Sequence, residues 1–261
     1  MVLEFSHRAA AAVVVLLLGT LAVLAWRQRH RSRAVFLGAV TAFALVVGQA
    51  LLGAVVVKLE LEATSVVMHL ATAMALLGVL VSTATASSNA QGMGDGSSAR
   101  DLGRQAKWAA ACVLVLLMVG SYLSGKDAGL AFGDWPLMDG TLLPDLAAEA
   151  RALHFLHRLL AGVTGIIVGV VAARAIRRRS EQPLAARWAC VAVAAYAVEV
   201  LIGAANVLTR LNSAVVTAHL LFGAIVWTSL VAIAGVTRTA REQRVVDRSG
   251  RASRAALEAG R

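Results

Sequence analysis

"QALLGAVVVKLELEATSVVMHL" (49–70) and "EVLIGAANVLTRLNSAVVTAHL" (199–220) are one segment written twice. Sliding the 261-residue chain over itself by 150 positions aligns them without a gap. Gly53 then pairs with Gly203, Ala54 with Ala204, Val57 with Val207, Leu61 with Leu211, Val66 with Val216, His69 with His219 and Leu70 with Leu220. The match reaches back to "SHR" (6–8) over "LHR" (156–158), which adds His7 with His157 and Arg8 with Arg158. Self-similarity at a fixed offset exposes architecture before any motif is named. The chain holds two copies of one unit, and each copy carries a histidine pair 62 residues apart.

The composition says what the unit is made of. Hydrophobic residues make up 59% of the chain, charged residues only 15%, and the mean hydropathy is +0.73. Apolar stretches run over about 9–25, 35–57, 64–86, 108–125, 155–176, 185–208 and 213–237, each long enough for a hydrocarbon core of roughly 30 Å. These runs are continuous rather than alternating, so their backbone groups are satisfied in lipid as helices and not as barrel strands. The expected fold is an all-α polytopic membrane protein with about seven transmembrane helices in two similar bundles. Its parts are an N-terminal half of three helices (1–86), a cytoplasmic linker (87–106), a C-terminal four-helix bundle (107–237) and a basic cytoplasmic tail (238–261). The stretch "ASSNAQGMGDGSSARDLGRQ" (86–105) reads as a flexible linker, with no phosphate-loop context around its glycines. In the second copy a helix and an outer loop (126–152) precede His157, and the first copy has no counterpart. The repeat therefore predicts an eighth helix and its loop ahead of Met1, with the present start late or the form truncated. The first apolar run follows Glu4 and Arg8 and meets no cleavage-type site, so it reads as a span rather than a leader.

A net charge of +10 resembles a nucleic-acid signal until the charges are placed along the chain. Nineteen of the 25 Lys and Arg fall in "WRQRHRSR" (26–33), the 87–107 segment, 174–187 and the tail from Arg238. The alternate ends and loops hold the other six, together with eight of the 15 acids. By the positive-inside rule the first set is cytoplasmic, which puts Met1 outside and Arg261 inside a cell membrane of bacterial type. The basic excess is a topology signal, and no nucleic-acid partner is expected. Cys112 and Cys190 lie within spans, without CxxC or Cys/His zinc spacing, and read as small packing residues.

That topology gives the histidines a common depth. His7, His157, His69 and His219 all lie near the outer ends of inward-running helices. Two helices entering from one side can project imidazoles toward each other across a bundle core, and two neutral imidazoles facing each other are a common axial clamp for haem iron. A single histidine near a helix end is more often an interfacial hydrogen-bonding group; four on a two-fold repeat are harder to explain that way. His30 lies in a basic loop and reads as solvated, whereas His154 has no clear role. Gly53 and Gly203, with Ala54 and Ala204, allow close approach of a flat macrocycle or simply of a neighbouring helix. Arg8 and Arg158 are placed either to pair with haem propionates or to snorkel to headgroups.

With these residues in view, the chain resembles the haem A synthase family, membrane enzymes that convert haem O to haem A for cytochrome oxidase. "LEFSHR" (3–8), "QALLGA" (49–54), "MHLA" (68–71), "GDWPLMDGTLLP" (133–144), "HFLHR" (154–158) and "AHLLFGA" (218–224) carry the resemblance, in the family's order over nearly the whole chain. The family fold is two similar four-helix bundles, each with a histidine pair. The resemblance implies a haem b cofactor held by His157 and His219 with Arg158 nearby, and substrate haem O received by His7 and His69 with Arg8 nearby. It also implies a catalytic role for Glu4, three positions before the first histidine; the repeat equivalent of Glu4 is His154, so only one half keeps a carboxylate there. The implied reaction oxidises the haem C8 methyl to a formyl group through successive hydroxylations and loss of water. The partners implied are the lipid bilayer, haem O synthase and cytochrome oxidase assembly factors, with a homo-oligomer as a further expectation.

Where many relatives carry cysteines flanking the "DWPL" element, this sequence has Phe132 and Met138, which removes any thiol or disulfide role from that loop. The loop reads as an ordered outer lid, with Trp135 at the interface and Pro136 and Gly140 setting turns, or as a plain interfacial anchor. Two other functions compete with the synthase. A two-haem b-type electron carrier uses the same four histidines without modifying haem, and a non-haem scaffold or transporter uses them to bind a metal or relay protons.

Overall fold

In the computed structural model the backbone is described for residues 2–87 and 96–259, and side chains for 5–87 and 97–238. Seven helices follow one another: α1 (Val2–Arg27), α2 (Arg33–Lys58), α3 (Ala63–Ser87), α4 (Gly96–Gly125), α5 (Glu149–Arg177), α6 (Pro183–Leu208) and α7 (Ser213–Ala259). A single 3-10 turn, Ala128–Leu130, opens the long α4–α5 connection. Among the described residues all seven helices are long and apolar enough to cross a membrane, and the only β pairing is the isolated bridge between Met138 and Thr141. The chain is a multi-pass, all-α membrane protein, as its composition required.

The repeat survives in three dimensions to the residue. Helices α2 and α6 begin and end 150 positions apart, α3 and α7 begin 150 apart, and α1 and α5 end 150 apart. The connections copy each other as well. Glu60 and Leu61 take left-handed conformations (φ 51° and 63°) before α3, and Arg210 and Leu211 do the same (53° and 61°) before α7. Leu61 N–H donates to the Val56 carbonyl at 3.0 Å, and Leu211 N–H to the Asn206 carbonyl at 2.8 Å. Left-handed backbone at two successive residues that are not glycine costs roughly 1–2 kcal/mol each. Two copies bearing that cost at matched positions share a fixed hairpin geometry.

Helix α7 is the hub. More than half of its span (56%) is buried, against 28% or less for every other span, and it packs on α3, α4 and α6. The interfaces are built from small residues that let helices approach closely. Ala106 and Ala109 of α4, Ala172 and Ala175 of α5, and Ala189 and Ala192 of α6 are all buried, around a core with Leu230 and Ile233 of α7. The halves meet where α3 packs against α4 and α7, and Gly78 leaves room there for the Trp227 ring. The outward faces carry exposed Leu and Val in numbers suited to a lipid surround, including Leu16, Leu17, Leu51, Ile166 and Leu201.

The structure differs from expectation at the linker. Residues 96–106 form the first turns of α4 rather than part of a flexible 87–106 segment. Their Gly, Ser and charge content masked a one-sided apolar stripe: Ala99, Leu102 and Ala106 are buried, and the Arg178 guanidinium donates to the Ser98 carbonyl at 2.9 Å. The rest of that linker, 88–95, lies outside the described residues, as do Met1 and the side chains of Glu4 and the 239–261 tail. Of the cysteines, Cys112 is partly buried as a packing residue should be, whereas Cys190 is exposed on the outer face of α6.

Candidate functional site

His157 lies two turns into α5, and His219 two turns into α7, the buried hub. The bundle brings the two rings together: their centroids are 6.5 Å apart and their planes cross at 72°. An iron with two axial imidazoles needs about 2 Å per metal–nitrogen bond and about 1 Å from each nitrogen to its ring centre, or about 6 Å in all. The observed separation fits. Nδ1 of His157 is buried with no protein partner, and Nδ1 of His219 is buried with only an off-axis carboxylate 3.1 Å away, Oε1 of Glu199. A buried polar nitrogen left unbonded by protein costs roughly 1–3 kcal/mol, so such atoms are scarce in folded chains and mark a site whose polar partners are incomplete. Among the described residues no three His, Cys, Asp or Glu are grouped to hold a bare metal ion. Two donors suit an iron that arrives with four porphyrin nitrogens.

Glycines make room for these rings. A Cβ on Gly203 would lie 3.3 Å from Cε1 of His219, and one on Gly53 would lie at the same 3.3 Å from Cε1 of His69. The equal distances show that each half aims its second histidine over the same glycine of the preceding helix. On the other side of His157, a Cβ on Gly120 of α4 would approach Cε1 at 2.9 Å. Gly120 was not legible as a site residue because the first copy offers nothing to pair it with.

The first half is less enclosed. His69 is half-buried on α3, with its Nδ1 unpartnered and its carbonyl accepting from the Gln49 amide at 3.0 Å. His7 and Arg8 lie exposed on α1, a helix that packs chiefly against α2. The structure thus brings the partly buried His157 and His219 together and leaves His7 of the other pair exposed.

Arg158 and His154 acquire definite partners. The Arg158 guanidinium donates three hydrogen bonds: from Nε to Nε2 of His154 (3.0 Å), and from its terminal nitrogens to the carbonyls of Leu137 (2.9 Å) and Asp134 (3.0 Å). It therefore ties α5 to the α4–α5 loop, a role its sequence did not disclose, and two of its five N–H groups remain for an anion. His154 is buried, and its ring centroid is 5.3 Å from that of fully buried Phe132. The position matching Glu4 has become part of the loop's anchor.

The loop itself is ordered. The Asp134 carboxylate accepts from the backbone N–H of Asp139 and of Gly140, both at 2.8 Å, across a turn in which both residues have positive φ. Those bonds, the one from Gly140 first, hold the Asp134 carboxyl below its ordinary range, because they favour the charged form. Arg151 pairs with Asp139 at 2.7 Å and stacks 4.8 Å from the Phe132 ring centre. Phe132 and Met138 are buried apolar anchors. Trp135 is 43% exposed.

Residues 1–231 match the family model COX15-CtaA, described as cytochrome oxidase assembly protein. A heme A synthase of Erythrobacter litoralis is 34% identical over 185 residues, 67% of this chain and 52% of the relative. One from Rhodospirillum centenum is 34% identical over 138 residues, 46% of this chain and 37% of the relative, and one from Shouchella clausii 28% identical over 174 residues, 65% and 58%. The chain thus spans about half the length of the curated relatives it matches. With a family match over most of its length, a duplicated helical frame and paired histidines at matched positions, the chain belongs to the COX15-CtaA family of cytochrome oxidase assembly proteins.

Proposed function

We propose that the protein is a haem A synthase, oxidising the C8 methyl of haem O to the formyl group of haem A, with haem b as its resident cofactor. The observation that carries this reading is the His157/His219 pair, two rings 6.5 Å apart on a frame that repeats itself with a second pair. His157 and His219 hold the cofactor through their imidazoles, and His7 and His69 receive the substrate. When bound, haem b supplies one-electron transfer.

The chain's own residues position the substrate and manage protons. Gly53, beside the His69 ring, lets the substrate ring approach, and Arg8, next to His7, pairs with a propionate. A Glu4 carboxylate one turn from His7 takes a proton from attacking water or stabilises positive charge developing at the methyl carbon. Only the first half carries an acid at this position; His154 in the second is occupied with Arg158. That difference supports chemistry in one half and electron transfer in the other. The charge distribution supports an orientation with the histidine pairs near the outer face and Arg261 inside, and the substrate's route supports haem O synthase and cytochrome oxidase assembly factors as partners.

The test is extraction and chromatography of haem from cells with and without the chain. Haem A or hydroxylated haem O, gained with the chain and lost in Glu4→Ala while haem b is retained, supports the synthase. Haem B alone reassigns the chain as an electron carrier, and absence of haem removes both. Substituting His157 costs the cofactor itself.

A further inference from the structure

The two halves differ beside their second histidines, and the difference extends over two helices. In the C-terminal half, Oε1 of Glu199 on α6 lies 3.1 Å from Nδ1 of His219 on α7. The Glu199 side chain is only 15% exposed, and its Oε2 is buried with no partner. The contact is off the N–H axis, as catalytic and ligand-supporting hydrogen bonds often are until the bound partner fixes the ring. In the N-terminal half the repeat places Gln49 there, and its amide donates to the His69 carbonyl at 3.0 Å instead of serving the ring.

A second substitution accompanies the first. A Cβ on Gly223 would lie 3.1 Å from the Glu199 carboxylate oxygen and 2.8 Å from a methyl of Leu117. Its repeat partner is Ala73. The half with the carboxylate has the glycine that makes room for it, and the half with the amide has a methyl group. A buried acid retained inside an apolar span, next to a histidine and with a vacated neighbour, calls for a function.

We propose that Glu199 is the positioning residue for His219 as an axial ligand: its carboxylate takes the Nδ1–H, leaves Nε2 to face the iron and makes the imidazole a stronger electron donor. Gln49 does none of this for His69. The C-terminal haem is thereby held at a lower midpoint potential than it would have with a neutral neighbour, which distinguishes the electron-transferring site from the substrate site. This rests on the reading of His157 and His219 as haem ligands.

The test is a spectroelectrochemical titration of the purified full-length haem-loaded protein, with low-temperature electron paramagnetic resonance of the ferric form. Glu199→Gln is expected to retain haem and to shift the balance toward ferrous iron about tenfold, equivalent to about 59 mV for one electron, with altered low-spin g-values. Glu199→Asp should recover much of the shift. Gly223→Ala keeps every donor but presses a methyl group on the carboxylate, and should move the potential in the same direction by less; it decides the matter if Glu199→Gln fails to accumulate. Unchanged midpoint and g-values in a haem-replete Glu199→Gln protein, or in Gly223→Ala where that protein is used, overturn the proposal alone. A preparation of the unsubstituted protein with no low-spin haem overturns it together with the reading of the site.

Discussion

Replacing Gly120 by alanine isolates the role of space beside His157. The new Cβ would lie 2.9 Å from Cε1 and 3.4 Å from Nδ1 of the ring. Carbon atoms are at their optimum at about 3.5–4.0 Å, so the ring or helix α4 must yield by roughly half an ångström or more. Overpacking of this kind costs about 1–3 kcal/mol. The intrinsic helix preference for alanine over glycine acts in the opposite direction and is worth about 1 kcal/mol at most. The steric effect is therefore expected to win, and to fall on the ligand, because the displaced atoms belong to a ring whose nitrogen must stay within about 0.5 Å of its position. At 1.4 kcal/mol per tenfold, a net loss of 1–2 kcal/mol weakens haem retention by about 5- to 30-fold. Competition with a haem-scavenging apoprotein, followed through the low-spin absorption bands, measures it. Gly162→Ala and Gly169→Ala on α5 are the controls, since a Cβ at either meets nothing within 4 Å. If Gly120→Ala released haem no faster than these two, the packed-ligand account of His157 would be wrong.

Other consequences follow from the loop and from the contact between halves. Arg158→Lys keeps the charge but at most one of the three hydrogen bonds, a loss of about 1–3 kcal/mol in loop anchoring; limited proteolysis should then cut within 133–146, where the parent chain resists. Acidification should loosen the same loop through Asp134: a carboxyl whose folded pKa is depressed contributes stability above its unfolded pKa and loses it as the pH falls through the folded value. Loop cleavage by an acid-tolerant protease should accordingly rise only below the ordinary carboxylate range, and Asp134→Asn should abolish that dependence. Gly78→Leu drives a side chain into the Trp227 ring, 2.7 Å from where its Cβ would stand, and should lower the thermal unfolding midpoint in detergent; an unchanged midpoint would show that α3 and α7 are not closely docked.

The sequence made the fold legible because lipid leaves few alternatives. Seven apolar runs could only be helices, and the 150-residue offset placed the helix ends of both halves in matching positions. The histidine pair on α5 and α7 was legible for the same reason: the repeat singled out four of six histidines. What stayed hidden depends on distances between helices, which no spacing encodes. Arg158 read equally well as a propionate partner or a snorkelling cation until the folded outer loop supplied carbonyls to it. The first turns of α4 were mistaken for linker because three buried positions were diluted among glycine, serine and arginine. Glu199 was aligned with Gln49 from the start, but its meaning depended on a neighbouring helix delivering His219 to it.

The repeat also separates what is structural from what is chemical, because each half is a control for the other. Features that match, such as the left-handed hairpins before α3 and α7 and the glycines facing His69 and His219, belong to the frame the two halves share. Features that differ cannot be demands of the shared frame, since the same frame forms without them. Gln49 against Glu199 and Ala73 against Gly223 are two such differences that fall together, since Glu199 lies 3.1 Å from Nδ1 of His219 and a Cβ on Gly223 would lie 3.1 Å from the same carboxylate oxygen. A coupled pair of changes beside one histidine and absent beside the other is what the positioning role proposed for Glu199 requires.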